Sequence, residues 1–426
     1  MSIGESKAVD YQLLADTAVL AGEIMLTSGA ETYRVEDTIR RILMTSGFER
    51  CEVFVVTTGI MITLSDWRVE TISLVRRVND KNTDLGKIYE TNNISRRFCD
   101  GELTLKETFR YLKKIKNDSA ERYSNLLVNS AFIFTAAFFT GILGGKLTEC
   151  IFAAVNGIFI VAMRLFSKKF PIHPFVMNIC VAFLMAVASR IYQVIPSVDI
   201  SLEPLIAGSI MALLPGVAIT NAIRDTLQGD YMSGTARAIE AFVIAATLAV
   251  GIGAGLSFIG LFINEPLSGN AGVTVEYSGI VVAAQTLEAF LAVAAMTIIL
   301  SVPRKYIAYA SLTGAAGWLM YLAALILSKE TIFSTFVSVI VISLMSQILA
   351  RTKKAPVTMF LIPGILPLVP GVGMYRIVYY MIDGNSELSS YYFSNTLQIA
   401  GMIAIAIFFV DTVFRTAKLR RNKKSS

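Results

Sequence analysis

The chain has 426 residues, of which 54% are hydrophobic and only 16% are charged, and its mean hydropathy is +0.60. Soluble domains carry about 25% charged residues, so the composition excludes an ordinary soluble protein as a description of the whole chain. The formal net charge is +6, but no basic face is interleaved with aromatic residues, so nucleic-acid binding is not predicted.

The charges concentrate in the first 124 residues, as in a water-soluble segment. A cytoplasmic α+β domain is predicted over 1–124. Apolar residues recur there at helical spacing, followed by runs rich in Val, Thr and Ile that are typical of strands. The predicted elements are one or two helices within 10–47, strands in 51–64 and 69–78 around a turn at 65–68, and amphipathic helices near 83–100 and 104–122.

A dense polar cluster stands out in this domain: Glu31, Tyr33, Arg34, Glu36 and Asp37. A solvated helix face is the favoured interpretation, a gating or docking role comes next, and a membrane-anchored hydrolase is an alternative. No nucleophile motif and no phosphate-binding GxxxxGK[ST] loop accompanies the cluster. The four cysteines share no CxxC spacing and only one histidine is present, so neither a metal site nor a cofactor is predicted.

Beyond this domain the chain consists of apolar runs separated by short polar connections. A hydrocarbon core of about 30 Å takes about 20 helical residues to cross. The sequence predicts ten spans in two halves of five, at 125–265 and 275–415, followed by a basic tail at 416–426. The spans are predicted near 126–143, 149–166, 173–195, 203–222, 238–263, 277–301, 305–327, 331–350, 356–382 and 392–414.

Basic residues alternate between the predicted connections in a way that indicates orientation. Every second connection is basic, as cytoplasmic loops are, and these hold Arg164, Lys168 and Lys169, then Arg224 and Arg237, then Arg304 and Lys305, then Arg351, Lys353 and Lys354. The N-terminus lacks a basic stretch followed by an apolar core, so no cleavable signal peptide is predicted. We therefore expect a multi-pass protein of the cell inner (plasma) membrane with cytoplasmic N- and C-termini.

A short internal repeat links the fourth and ninth spans. LLPGV at 213–217 aligns with LVPGV at 368–372 at an offset of 155 residues, and the same offset pairs Gly229 with Gly384. Because five spans per half is an odd number, the halves would have opposite orientations in the membrane. This pattern predicts an inverted repeat.

Both repeated stretches are poor continuous helices. Proline removes a backbone donor and clashes with the preceding turn, so a membrane tolerates such a segment only where it is buried in protein or lines a wet cavity. Freed carbonyls and half-helix ends could then bind an ion or a polar solute, although a kink for packing is the alternative. The candidate positions are Pro215, Gly216, Pro363, Gly364, Pro370 and Gly371.

Polar residues follow each break. Thr220 and Asn221 could hydrogen-bond a solute, whereas Arg224 and Asp225 could form a solute-binding pair, a mutual salt bridge or interfacial anchors. Arg376 is the best candidate for a solute carboxylate, because a guanidinium can bind one bidentately. A buried polar network that holds helices together is the competing interpretation.

Two carboxylates lie within predicted spans. Ionisable residues in the bilayer are costly and usually mark a transport pathway, so Glu288, and after it Glu240, are predicted to take up and release protons. The spacing of Gly251 and Gly255 predicts close packing of two helices.

Several separated motifs resemble the threonine/serine exporter family. AGEI at 21–24 and SGAETYRVED at 28–37 resemble its opening signature, and TTGI at 57–60 its strand motif. In the first membrane half, the motifs that resemble the family are LPG at 214–216, TNAIRD at 220–225 and GDY at 229–231. In the second half they are IPG at 362–364 and LVPG at 368–371.

The resemblance implies a secondary exporter, or antiporter, of small hydrophilic metabolites, driven by the proton gradient or the membrane potential. Threonine and serine are the namesake solutes, and export of a dicarboxylate such as succinate, implied for some relatives with split halves, stays open. The chain looks like the fused form of the family. The expected partners are an amino acid or carboxylate, protons and the lipid bilayer, while homo-oligomerisation stays open.

Overall fold

The structure is a computed structural model. It describes residues 10–67, 69–78, 82–118, 122–170, 172–196, 199–263, 277–382 and 384–423. The chain forms two compact units. The first comprises Met1–Arg122 and Asp225–Ala236, and the second comprises Tyr123–Arg224 and Arg237–Ser426. The predicted boundary between the membrane halves, 265–275, lies outside the described residues.

The first unit is an α+β fold, as predicted. In its described residues, three strands form an antiparallel sheet in the order β1-β2-β3. Its elements are α1 (Tyr11–Thr27), α2 (Thr32–Met44), β1 (Arg50–Val56), β2 (Gly59–Asp66), β3 (Val69–Arg77), α3 (Leu85–Cys99) and α4 (Leu105–Asn117).

The run 51–64, predicted as one strand, is in fact a hairpin. The chain reverses at Thr57 and Thr58, so that Val56 pairs with Gly59. Two-residue hairpin turns are usually signalled by Asn-Gly or Asp-Gly. Here β-branched threonines, which favour strands, occupy the turn and hide it. Between α1 and α2 the chain turns at Gly29, whose φ is +86°.

One face of this sheet forms the core of the first unit. Residues of β2 alternate between buried and more exposed positions, as expected for a strand with one covered face. Ile60, Ile62 and Leu64 are almost fully buried, as are Leu14 of α1 and Ile39 of α2.

The second unit is helical, and α9 and α10 each have one end in the first unit. The helices are α5 (Asn125–Ile142), α6 (Leu147–Lys169), α7 (Pro174–Gln193), α8 (Leu202–Ser209), α9 (Gly216–Leu227), α10 (Tyr231–Gly260), α11 (Gly279–Ile299), α12 (Arg304–Ser328), α13 (Thr331–Thr352), α14 (Thr358–Ile365), α15 (Gly371–Ile382) and α16 (Ser386–Lys423).

Eight helices in the described ranges are long and apolar enough to cross a membrane, or up to ten spans if each of two bent pairs is one span. The polytopic helical fold predicted from the sequence is therefore confirmed. The bent pairs are α8–α9 and α14–α15, with bends of 64° and 43°. Each has a short 3-10 turn before the proline, at Met211–Leu213 and Leu366–Leu368.

The order of elements in α5–α10 recurs in α11–α16. Gly216 and Gly371 begin the second helix of each bent pair, and the offset between them is 155 residues. Gly229 and Gly384, at the same offset, both have positive φ, +89° and +79°. The short sequence repeat thus corresponds to a repeat of element order across both halves.

Glycines allow several of these helices to approach closely. A Cβ added at Gly251 would lie 2.5 Å from the carbonyl oxygen of Ile179 on α7, and one at Gly255 2.6 Å from that of Phe183. The close packing predicted for this glycine pair is confirmed.

Candidate functional site

The two breaks lie against each other inside the second unit. A Cβ added at Gly216 would lie 3.0 Å from Val369 Cγ1, and one at Gly371 would lie 3.0 Å from the Cβ of Leu214. Each glycine thus contacts the residue that lies two positions before the other glycine. Reciprocal contacts of this kind are what a local two-fold relation between two segments produces.

A small cleft lies beside these breaks. Residues of both halves line it: Val217, Thr220, Asn221, Ile362, Ile365, Leu366 and Val369. The predicted Thr220 and Asn221 are therefore brought together with the broken segment of the ninth span.

In the described ranges, the polar side chains that line the cleft are those of Thr220 and Asn221. Thr220 Oγ1 donates a hydrogen bond to the carbonyl oxygen of Gly216, at 3.0 Å. Asn221 is only 2% exposed, and within the described ranges its Nδ2 has no hydrogen-bond partner. A buried donor without a partner costs about 1–3 kcal/mol, so this amide could stabilise an acceptor that enters the cleft.

Helix ends add partial charges at the breaks. The N-termini of α9 and α15 and the C-terminal ends of α8 and α14 lie next to the two prolines. A helix N-terminus carries about half a positive charge and a C-terminus about half a negative charge. The breaks thus offer partial charges of both signs, and in the part of the chain that the structure describes no charged side chain lines the cleft.

Arg224 forms an ion pair with a carboxylate of the other half. Its Nη2 donates to Asp411 Oδ2 at 2.9 Å, and Gln347 Nε2 donates to Asp411 Oδ1 at 2.5 Å. This network joins α9, α13 and α16. Sequence reasoning did not predict this pairing.

Arg376 is also paired with the other half. Its guanidinium forms an ion pair with Glu203 at the start of α8, and its Cζ lies 5.0 Å from the ring centroid of Tyr392. Here a protein carboxylate occupies the position predicted for a solute carboxylate. Glu203 was missed by sequence reasoning, although an acidic residue at the start of the fourth span is a signal for such a pair.

The remaining predicted residues do not line the cleft. Asp225 is buried in the segment that belongs to the first unit, and Glu240 is half-buried on α10. Pro363 lies inside α14, and a Cβ added at Gly364 would meet Ile342 and Thr313 at 3.1 and 3.2 Å. Gly364 therefore serves helix packing.

Glu288 lies elsewhere in the second unit, on α11, and its side chain faces α5. A Cβ added at Gly141 of α5 would lie 2.4 Å from Glu288 Oε1, so the missing side chain at Gly141 makes room for the carboxyl group. Within the described part of the chain, the half-buried Glu288 side chain forms no hydrogen bond or ion pair.

The polar cluster of the first unit divides into separate contacts. Glu31 is buried and lies 3.3 Å from Arg34, whereas Asp37 is exposed and pairs with Arg41. Glu36 Oε1 accepts a hydrogen bond from the Val55 amide at 3.0 Å. Burial is the main cause that raises the pKa of Glu36 above its usual value, and the nearby Asp230 adds to it.

Tyr33, which lies on α2 with Glu36 and Asp37, is half-buried. These carboxylates thus do not converge on one point, and no group of three His, Cys, Asp or Glu side chains in the described residues could hold a metal ion.

Comparison with known proteins gives matches along nearly the whole chain. A family model described as "Putative threonine/serine exporter" matches residues 16–259, and one described as "Threonine/Serine exporter, ThrE" matches residues 285–413. No solved structure matches the chain.

Two curated relatives match at low identity. A "Probable threonine/serine exporter" of Mycobacterium tuberculosis (strain ATCC 25618 / H37Rv) is 22% identical over 85% of this chain and 69% of its own length. A "Threonine/serine exporter" of Corynebacterium glutamicum is 20% identical over 97% of this chain and 85% of its own length. The chain belongs to the threonine/serine exporter family, and it is a multi-pass membrane transporter rather than an enzyme.

Proposed function

We propose that this protein exports threonine and serine across the cell membrane as a secondary active transporter, and that the solute binds in the cleft between the two breaks. The observation that carries the proposal is the reciprocal packing of the breaks beside a cleft lined by both halves. Broken helices of this kind form solute sites in transporters because they supply helix ends and free backbone groups.

The proposal includes an orientation and a repeat. The basic connections favour cytoplasmic N- and C-termini, and five spans per half favour opposite orientations of the halves. The reciprocal contacts Gly216–Val369 and Gly371–Leu214 support a two-fold relation between the halves. In such transporters one half rocks against the other around a fixed site.

Proton antiport is the proposed energy source. A threonine or serine zwitterion has no net charge, so the membrane potential does no work on it unless another ion moves as well. Each elementary charge that crosses gains about 2.3 kcal/mol per 100 mV. Glu288 is the proposed proton carrier, because its carboxyl lies half-buried in an apolar helix against Gly141.

The dicarboxylate alternative has less support. A dianion needs cationic partners, and the two arginines nearest the breaks, Arg224 and Arg376, are each paired with a protein carboxylate.

Reconstituted vesicles test this function directly. Purified protein should move labelled threonine and serine, but not succinate, and an opposing proton gradient should drive accumulation. Val217→Trp should abolish transport, because the indole would fill the cleft. Val250→Trp, at a partly exposed site on α10, is the matched control. Transport of succinate alone, or full activity of Val217→Trp, would refute the proposal.

A further inference from the structure

We infer that the Asn221 side-chain amide recognises the carboxylate of the transported solute. The inference deepens the proposed function and rests on it. It begins from a buried side-chain nitrogen on the cleft wall, Asn221 Nδ2, which has no hydrogen-bond partner in the described ranges.

Burial makes this unpaired donor informative. Asn221 is 2% exposed in a unit built of apolar helices, and loss of hydration without a new hydrogen bond is costly. Thr220, the other polar side chain in the cleft, already donates to its own helix. Of these two side chains, Asn221 is therefore the donor that is available to an incoming acceptor.

The chemistry around Asn221 favours one carboxylate rather than two. The N-terminus of α9 lies about one turn from Asn221 and adds positive partial charge. Among the described residues, no Lys or Arg lines the cleft, and Arg224 and Arg376 are paired with Asp411 and Glu203. A neutral amide and a helix end suit a single anionic group on a solute with no net charge.

A competition assay tests this role. Threonine and threoninol, in which an alcohol replaces the carboxylate, compete with labelled threonine in vesicles. Wild-type protein should prefer threonine, and Asn221→Leu should reduce that preference by about 10–100-fold, because a hydrogen bond to a charged group is lost. Asn221→Asp should reduce it at least as much, since two carboxylates would repel.

The matched control is Asn129→Asp on α5. Asn129 Oδ1 accepts from Arg164 Nη1 at 2.7 Å, away from the cleft, and a carboxylate preserves that contact. The preference of the Asn129→Asp variant for threonine over threoninol should equal that of the wild type. An unchanged preference in both Asn221 variants overturns the inference while export stands. A wild-type protein that moves no threonine instead removes the proposed function and this inference together.

A second, independent observation concerns a pair of ion pairs, among the described residues, that join the halves. Arg224 of the first half pairs with Asp411 of the second, and Glu203 of the first half pairs with Arg376 of the second. We propose that these pairs are gates that close opposite ends of the solute pathway. This proposal also rests on the proposed transport function.

The helix α16 shows that the two pairs are far apart. Asp411 pairs with Arg224, and Tyr392 lies under Arg376. These two residues of α16 are nineteen positions apart, which is about 28 Å along a helix. That distance is close to the thickness of a bilayer core, about 30 Å.

The breaks lie between the two gates along the chain. Arg224 and Arg376 both follow the break of their own half, and bends of 64° and 43° deflect the helices without reversing them. If the halves are inverted, the two arginines point to opposite faces of the membrane. Both pairs are formed in the structure, which therefore has both gates closed.

Labelling of a cysteine in the cleft tests the gates without a transport assay. Val217→Cys is made in a chain whose native cysteines, Cys51, Cys99, Cys150 and Cys180, are replaced by alanine. A membrane-impermeant thiol reagent is then applied to either side of oriented vesicles. Asp411→Asn should increase labelling at least several-fold from the cytoplasmic side only, and Glu203→Gln from the opposite side only.

The control is Asp199→Asn, which removes an exposed ion pair with Lys146 that lies within the first half. Its labelling should match that of the parent protein on both sides. Unchanged labelling in both gate variants, or an increase from the same side in both, overturns the gating proposal. Labelling reports on gating even if threonine is not the solute, so the two failures are distinguishable.

Discussion

Glu288 is a carboxyl group for which a neighbouring helix makes room. Gly141 has no side chain, and any Cβ there would overlap the Glu288 carboxyl group. A carboxylate at such a place is costly when charged, and it is well suited to bind a proton in one conformation and release it in another.

Glu288→Gln should therefore uncouple export from protons. The variant should still exchange labelled for unlabelled threonine, but a pH gradient should no longer drive accumulation. The measurement is uptake into vesicles with and without a gradient. Glu330→Gln, an exposed carboxylate at the start of α13, should behave as the wild type. Accumulation by Glu288→Gln equal to that of the wild type would exclude Glu288 as the carrier.

Glu36 should make the first unit less stable as the pH rises. Burial, the largest cause, raises its pKa above the unfolded value of 4.5. Its contribution to stability is thus fully present below that value and is lost as the pH rises through the higher folded pKa. In the full-length protein, hydrogen exchange of β1 should show a small decrease in opening free energy between pH 5 and pH 7.

Glu36→Gln should remove this pH-dependent component, because a neutral amide oxygen can still accept from the Val55 amide. If wild type and variant lose stability equally over that range, Glu36 is not the titrating group.

Helix contacts in the second unit depend on which face a glycine occupies. Gly251 and Gly253 are two positions apart on α10. Gly251 faces the backbone of α7, whereas a Cβ at Gly253 would meet nothing within 4 Å. The sequence predicted the packing role of Gly251 from its spacing to Gly255, since four residues separate neighbours on one helix face.

Gly251→Ala should lower the free energy of unfolding by about 1–3 kcal/mol, because the added methyl group overpacks the contact with α7. Gly253→Ala should be neutral or stabilising by up to about 1 kcal/mol, since alanine is the better helix former. Denaturant unfolding in detergent measures both. Equal effects of the two substitutions would contradict the close approach of α10 and α7.

The breaks themselves could be predicted, and their partners could not. Proline and glycine act locally, so the sequence around Pro215 and Pro370 was enough to predict interrupted helices. The pairs Arg224–Asp411 and Glu203–Arg376 join residues 187 and 173 positions apart. Such contacts depend on how the halves pack, and hydropathy does not encode that packing. The hairpin at Thr57 is a local feature, but it was missed because its residues have strand-like propensities.

The two halves of the membrane body are held together by side-chain contacts as well as by their covalent connection. α5 packs along α11, the two breaks interlock, and each ion pair joins one half to the other. The sequence repeat predicted related halves, and the order of elements agrees with it.

Separate fragments should therefore assemble. When residues 1–265 and 275–426 are expressed together as two chains, they should copurify and retain threonine export. Affinity purification through a tag on one fragment, followed by vesicle transport, measures both properties. The control is each fragment expressed alone, which should not transport. Two fragments that insert but never associate would show that the covalent connection is required.

The repeat is chemically unequal at its centre. The offset of 155 residues that superposes the breaks pairs Asn221 with Arg376, so one half presents a neutral amide where the other presents a guanidinium. A perfectly symmetric carrier would have inward-facing and outward-facing states of equal free energy. Because these two positions differ in charge and in partners, we expect the two states to differ in free energy, so that the apparent affinity for the solute is unequal on the two sides of the membrane. The solute and ion gradients still set the direction of net transport.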